Sequence, residues 1–237
     1  MKDNLGDRMK RYEASTNILL PRRTNTIIRV DGKAFHTFTK GLYKPYDDRL
    51  AMCLEWATED VAKNMQGCVL AYRQSDEVSF LLQDYNDIKT DAWFDGKVQK
   101  MVSVVASMFT AYFNQHWGTG TTDKPAMFDA RAFVIPDNTE VANYFLWRNQ
   151  DAYRNALSMY FQQKEGHKWC QNRSTKELAG ILDREEYESL PDTYWNGAVY
   201  VPIMDAERVP KPRFLWWDLW VKQALPGRTI GSPLHSE

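Results

Sequence analysis

Apolar and polar positions along the chain change period several times, and each change marks an element. Thr26-Ile27-Ile28-Arg29-Val30 is a β-branched run read as a buried strand, closed by Asp31-Gly32-Lys33-Ala34-Phe35-His36. A loop to Pro45 follows. Leu50, Leu54, Ala57, Val61 and Met65 then recur at steps of three and four, predicting a helix opened by Asp47-Asp48-Arg49 and ended by Gln66-Gly67. Cys68-Val69-Leu70-Ala71-Tyr72 and Val78-Ser79-Phe80-Leu81-Leu82 read as two strands of a hairpin, joined through Ser75-Asp76-Glu77. A longer helix is predicted from about residue 91 to 115, with Phe94, Val98, Met101, Val105, Met108 and Tyr112 inward. A Gly/Thr-rich loop at 118–124 leads to a fourth strand over 128–135, ended by Pro136-Asp137-Asn138. Before Pro21, the spacing of Leu5, Met9 and Tyr12 suggests a short amphipathic helix.

Strand, helix, strand, strand, helix, strand is the split β-α-β order. It predicts an α+β fold with an antiparallel sheet and both helices on one face, like a polymerase palm. Residues 1–138 would form that unit, and 139–237 a helical and aromatic-rich region packed on it. In the latter a helix over 140–164 is expected, then a short one, to about residue 182, started by the capping box Ser174-Thr175-Lys176-Glu177. The rest, with Tyr194-Trp195-Asn196-Gly197 and Trp216-Trp217, reads as short strands and loops. Its aromatics with Lys211 and Arg213 would either grip nucleic acid or fill a core.

Composition narrows the function classes. The 237 residues carry a net charge of -1, so no global basic field announces a polyanion partner and any such site is a local patch. Three cysteines without a C-x-x-C fit a reducing compartment and no structural zinc, and His167-Lys168-Trp169-Cys170 reads as structural. A polar start and the lack of a long apolar run lead to an expected cytoplasmic location. Neither a Walker motif nor G-x-G-x-x-G occurs, which argues against a P-loop or a dinucleotide-binding fold.

Chemistry concentrates at strand ends. Asp31, Asp76 and Glu77 offer the oxygen ligands that Mg²⁺ prefers, and a nucleotide's phosphates would complete the shell. Gly32 lets the backbone approach an anion, and the amides from Lys33 to His36 could turn inward around a polyphosphate. Asp-Gly after a strand is equally a common turn, and Asp76-Glu77 equally a hairpin tip. Lys97 and Lys100 either hold a triphosphate or solvate a helix face.

Five ordered motifs resemble the tRNA(His) guanylyltransferase family and its Thg1-like proteins: Arg29 to His36, Lys44-Pro45-Tyr46-Asp47-Asp48-Arg49, Ala71 to Phe80, Phe128-Asp129-Ala130-Arg131 and Trp147-Arg148-Asn149-Gln150-Asp151. The resemblance implies a two-Mg²⁺ enzyme that activates a tRNA 5′ end with ATP or GTP and adds a nucleotide there, in the 3′-to-5′ direction. It implies Asp31, Asp76 and the Gly32 carbonyl as metal ligands, with Glu77 supporting catalysis beside them. Lys33, Ala34, Phe35, His36, Asp47, Ser75, Lys97 and Lys100 would bind nucleotide, while Arg131, Arg148 and Arg154 would face tRNA. Partners implied are tRNA, ATP, GTP and other NTPs, and further copies of the chain in a homo-oligomer, a tetramer in related proteins. Two departures stand out. Tyr46 takes the place of the family's Asn, and the eukaryotic run linked to tRNA(His) recognition is replaced by Tyr153-Arg154-Asn155-Ala156-Leu157-Ser158-Met159-Tyr160. The pattern looks more like a Thg1-like protein, whose implied work is templated repair of 5′-truncated tRNAs. Left open are a tRNA(His)-specific transferase, a palm-type nucleotide cyclase and a tRNA-binding accessory protein.

Overall fold

The computed structural model describes residues 4–118, 124–204 and 210–215, with 202–204 and 210–215 at the level of the backbone. The expected loop beyond Gly118, Trp216-Trp217 and the side chains of Lys211 and Arg213 lie outside the described residues. In chain order the elements are α1 (Leu5–Ala14), β1 (Asn25–Gly32), α2 (Phe35–Phe38), α3 (Asp48–Lys63), β2 (Cys68–Gln74), β3 (Glu77–Gln83), α4 (Val98–Trp117) and β4 (Phe128–Ile135). There follow α5 (Asn138–Glu165), α6 (His167–Cys170), α7 (Thr175–Ile181), α8 (Arg184–Glu188), α9 (Asp192–Asn196), β5 (Ala198–Met204) and β6 (Pro210–Leu215).

The described strands form one antiparallel sheet in the order β4-β1-β3-β2-β5-β6. Alternation along each strand sends successive side chains to opposite faces. Ile28, Val30, Ala71, Val78, Phe80 and Leu82 point to one face, where α3 and α4 cover them with Leu54, Ala57, Val61, Val105, Phe109 and Phe113. Burying each such large side chain contributes about 1.5–3 kcal/mol, so this layer is the main source of stability. Ile27, Leu70, Tyr72, Leu81 and Val199 point to the other face, under Val141 and Phe145 of α5. The expected α+β, palm-like arrangement with two helices on one face is the one observed, and α5 crosses the second face.

The long helix starts later than its periodicity suggests. Trp93–Gly96 is a 3₁₀ turn in which Phe94, Asp95 and Gly96 have φ of 50°, 54° and 72°, and α4 begins only at Val98. Gly96 is pressed against the chain before β1, where an added Cβ would lie 2.9 Å from the Leu20 carbonyl oxygen. The inward stripe is therefore Met101, Val105, Phe109, Phe113 and Trp117. α1 forms as expected, but none of its residues is buried.

Beyond α5 the capping box at Ser174 and Glu177 starts α7. Trp195, expected among short strands and loops, is a fully buried residue of the helix α9, packed with Tyr153, Leu157, Phe161 and Leu178. The chain then returns as β5 and pairs with β2, Ala71 against Tyr200 and Arg73 against Ala198.

Candidate active site

β1 and the β2–β3 hairpin bring the two acidic stretches together. Asp31 is the register partner of Glu77 on one side and of Asp129 on the other, so three carboxylates share one row across the sheet. The next row on that face holds Arg131, Arg29 and Ser79. Like charges directly opposite are unfavourable in a sheet, and these arginines offset them.

The hairpin loop is two residues long, and Ser75, its first, adopts φ +47°, a conformation usually left to glycine. That turn swings Asp76 back over β1. A Cβ on Gly32 would stand 2.7 Å from Asp76 Oδ2 and 2.3 Å from the Phe35 ring, so only glycine leaves room for the carboxylate there. The Ser75 hydroxyl donates to Asp76 Oδ1 at 3.1 Å. Burial, reinforced by the charge of Asp31, raises the Asp76 pKa from 3.8 to about 6, against the pull of hydrogen bonds from its own amide and Ser75.

Such a pair wants a cation. Among the described residues no group of three or more His, Cys, Asp or Glu side chains converges as a metal site. The donors on hand are two carboxylates and the Gly32 backbone, all hard oxygens. That set suits Mg²⁺, which is bound through one or two carboxylates with waters and substrate phosphates completing its shell.

Asp31 and Asp76 border an open cleft of about 870 Å³ that wraps around this end of the sheet. His36, Asp47, Ser75 and Glu77 also line it, as do Lys44, Tyr46, Arg73, Arg148, Tyr194 and His167. Phe35 anchors the segment after β1 by stacking among Phe38, Phe113 and Phe128. Ala34 takes the left-handed conformation that starts α2; its carbonyl accepts from the Thr37 and Phe38 amides, while those of Phe35 and His36 precede the first helical acceptor. The amide of Lys33 differs from expectation: it donates to the Met127 carbonyl at 2.8 Å, as part of the sheet. Asp47 caps α3, accepting from the Leu50 amide at 2.9 Å, while facing the cleft.

Other expected site residues are placed differently. Arg148, assigned from sequence to RNA, is only 6% exposed. Its guanidinium makes a two-pronged pair with Glu77, at 2.8 and 3.0 Å, meets Asp151 at 2.9 Å, and stacks on the Trp147 ring. Glu77 also accepts from Gln74 at 3.2 Å and lies 3.7 Å from Arg29. With its oxygens engaged in this way, Glu77 ties α5 to the hairpin and holds the Asp76 turn in position. Arg154 is exposed and paired with Asp151, and Arg131 is exposed on β4, 3.8 Å from Asp129. Lys97 and Lys100 do not reach the site within one chain. Lys97 bridges to Leu19, ahead of β1, at the opposite end of a strand roughly 25 Å long; Lys100 lies over the Phe94 ring.

From sequence, Tyr194 is one of the aromatics expected to grip nucleic acid or fill a core, and Arg73 is given no role. Tyr194 reaches the cleft only because α9 folds back beside α5, which no local pattern announces. Arg73 did carry a signal, a charge inside an apolar strand. It is 4% exposed and donates to Glu55 of α3 at 2.6 Å.

The model of the Thg1 family, tRNAHis guanylyltransferase, matches residues 6–136. The tRNA(His) guanylyltransferase of Schizosaccharomyces pombe is 30% identical over 212 residues, covering 81% of this chain and 78% of that protein. A bacterial tRNA(His) guanylyltransferase (Thg1)-like protein in complex with ATP superimposes with a TM-score of 0.80 at 41% identity, over 89% of this chain and 92% of that one. A GTP complex matches with a TM-score of 0.78 at 38% identity, over 90% and 91%. Against other curated relatives the match is shorter, spanning 63% of a mimivirus protein and 44% of the human one. Motif order, fold and matched length agree: the chain belongs to the tRNA(His) guanylyltransferase (Thg1) family.

Proposed function

We propose that this protein is a nucleotidyltransferase that extends tRNA at its 5′ end, in the 3′-to-5′ direction, as a templated repair of 5′-truncated molecules. The observation that carries this reading is the meeting of Asp31 and Asp76 across Gly32 at the mouth of the cleft. The ATP- and GTP-bound states of the bacterial Thg1-like structures support a nucleoside triphosphate as its occupant.

A 5′-monophosphate oxygen of the RNA would attack the α-phosphorus of ATP and expel pyrophosphate. The 3′-hydroxyl of the incoming nucleotide would then attack the activated 5′ phosphate, expelling AMP and losing its proton to solvent. Asp31, Asp76 and the Gly32 carbonyl would hold two Mg²⁺ ions. When bound, these supply the Lewis acidity that lowers the hydroxyl's pKa and offsets charge on the phosphates. The remaining work is positioning. The Phe35 and His36 amides at the start of α2, with the side chains of Lys44 and His36, would orient the polyphosphate, while the Glu77–Arg148 pair keeps the Asp76 turn fixed.

Selection of tRNA(His) alone is not favoured by α5. In the stretch that stands where eukaryotic members carry the linked run, Tyr153, Ala156 and Leu157 are buried against α7 and α9. The test is incubation with tRNAs lacking their first nucleotide, with and without the complementary base opposite the gap, in the presence of ATP and each NTP. Addition of the matching nucleotide is expected. Addition of G to tRNA(His) alone, or conversion of labelled ATP or GTP into a cyclic product without RNA, overturns the reading.

A further inference from the structure

The cleft holds aromatic rings that neither the carboxylates nor the phosphates account for. Phe35, Tyr43, Tyr46 and Tyr194 line it. Phe35 belongs to the core at 6% exposure, and Tyr43 stands in solvent at 84%. Tyr46 and Tyr194 remain, and they touch edge to face, with ring centroids 5.8 Å apart and planes at 84°. That geometry leaves at least one broad face of each ring uncovered by the other.

The pair joins the two walls of the cleft and is fixed from behind. Tyr46 comes from the wall before α3, next to the cap residue Asp47. Tyr194 comes from α9, where its hydroxyl donates to the Ala156 carbonyl at 2.8 Å and its ring packs against the buried Trp195. Thr193, next to Tyr194 on α9, lines the same cleft as Tyr46.

A triphosphate seated at Asp31 and Asp76 directs its base away from the carboxylates, and these rings are the half-buried aromatic surface the cleft offers. Every base has a π-face, so an aromatic platform grips all four with little preference, whereas a side-chain amide reads hydrogen-bonding edges. We propose that Tyr46, seated against Tyr194, is the stacking platform for the base of the incoming nucleoside triphosphate. It makes the site tolerant of all four bases and leaves the choice to the RNA strand opposite. This inference rests on the nucleotide transfer proposed above.

Two measurements separate its failure from failure of that reading: KM and kcat for each NTP on truncated RNA, and Mg²⁺-dependent binding of ribose-labelled fluorescent ATP and GTP without RNA. Tyr46→Ala is expected to raise KM, and to weaken labelled-nucleotide binding, roughly 5- to 100-fold for every base. Tyr46→Phe keeps the ring and stays within about threefold of wild type. Tyr46→Asn is expected to spread the four KM values apart. Unchanged affinity in a folded Tyr46→Ala protein, a loss confined to one base, or a Tyr46→Phe variant as weak as Tyr46→Ala overturns the proposal. If wild type binds the labelled nucleotides but extends no RNA, the transfer reading falls, and the binding arm alone decides the role of Tyr46.

Discussion

The two faces of the sheet are built from the same strands to opposite ends. On the α3 and α4 side, Ile28, Val30, Ala71, Val78, Phe80 and Leu82 of β1, β2 and β3 are apolar and buried, and Arg73, at the hairpin end of β2, is the charged exception, paired with Glu55 of α3. On the α5 side the same strands start apolar, at Ile27 and Leu81, and become polar toward the hairpin, with Arg29, Asp31, Glu77 and the Ser79–Tyr144 hydrogen bond. One face supplies stability through close packing, and damage to it is felt by the whole molecule. The other holds charges at fixed positions, an arrangement that adds little to stability and is useful only if something charged is to be bound.

Substitutions can break this contrast. Asp31→Ala and Asp76→Ala are expected to abolish 5′ extension, by a factor on the order of 10³ or more since several kcal/mol of charge stabilisation is removed. Thermal unfolding should not fall below that of wild type; a variant that extends at the normal rate sinks the site assignment. On the opposite face, Phe109→Ala should cost about 3–5 kcal/mol in denaturant unfolding and leave kcat unaltered at temperatures where the protein is folded. A double-mutant cycle on Glu77→Gln and Arg148→Met should give a coupling of about 2 kcal/mol. The single variants should lower kcat more than they raise KM for nucleotide, as befits residues that position the Asp76 turn.

The pH dependence sharpens the contrast further. Burial lifts the Asp76 pKa above its unfolded value, so the folded state holds that proton more tightly. In chelator, the stability this confers is fully present below about pH 3.8 and is lost as pH rises through about 6. Asp76→Asn, which never ionises, should therefore gain on wild type across that window, as read from unfolding free energies at several pH values. The smallest effect is expected at the rim. Arg131→Ala should raise KM for RNA by roughly three- to tenfold, more at low salt, with KM for nucleotide unmoved.

Much of this was legible in the chain itself. The β1 run, the α3 stripe and the β2–β3 hairpin are local patterns, and each appears within a few residues of its expected place. The acidic site was legible because both carboxylates sit at strand ends and the strand order makes those ends neighbours. What escaped depends on long-range packing. The late start of α4 comes from Gly96 fitting against Leu20, and Arg148 looks like a surface arginine until Glu77 is placed beside it. The small helices α8 and α9 are too short for periodicity to declare, although Trp195 makes one of them a core element.

β5 carries one more consequence. The outer edge of β2, the strand leading into the Asp76 turn, is closed by residues that leave the ribosome long after those of the hairpin. Until then a nascent chain presents an unpaired strand, a template for sticking to its neighbours. Shortened forms ending soon after α5 would keep that edge open for good, so insolubility in such truncations speaks of an unfinished sheet and leaves the chemistry of Asp31 and Asp76 unjudged.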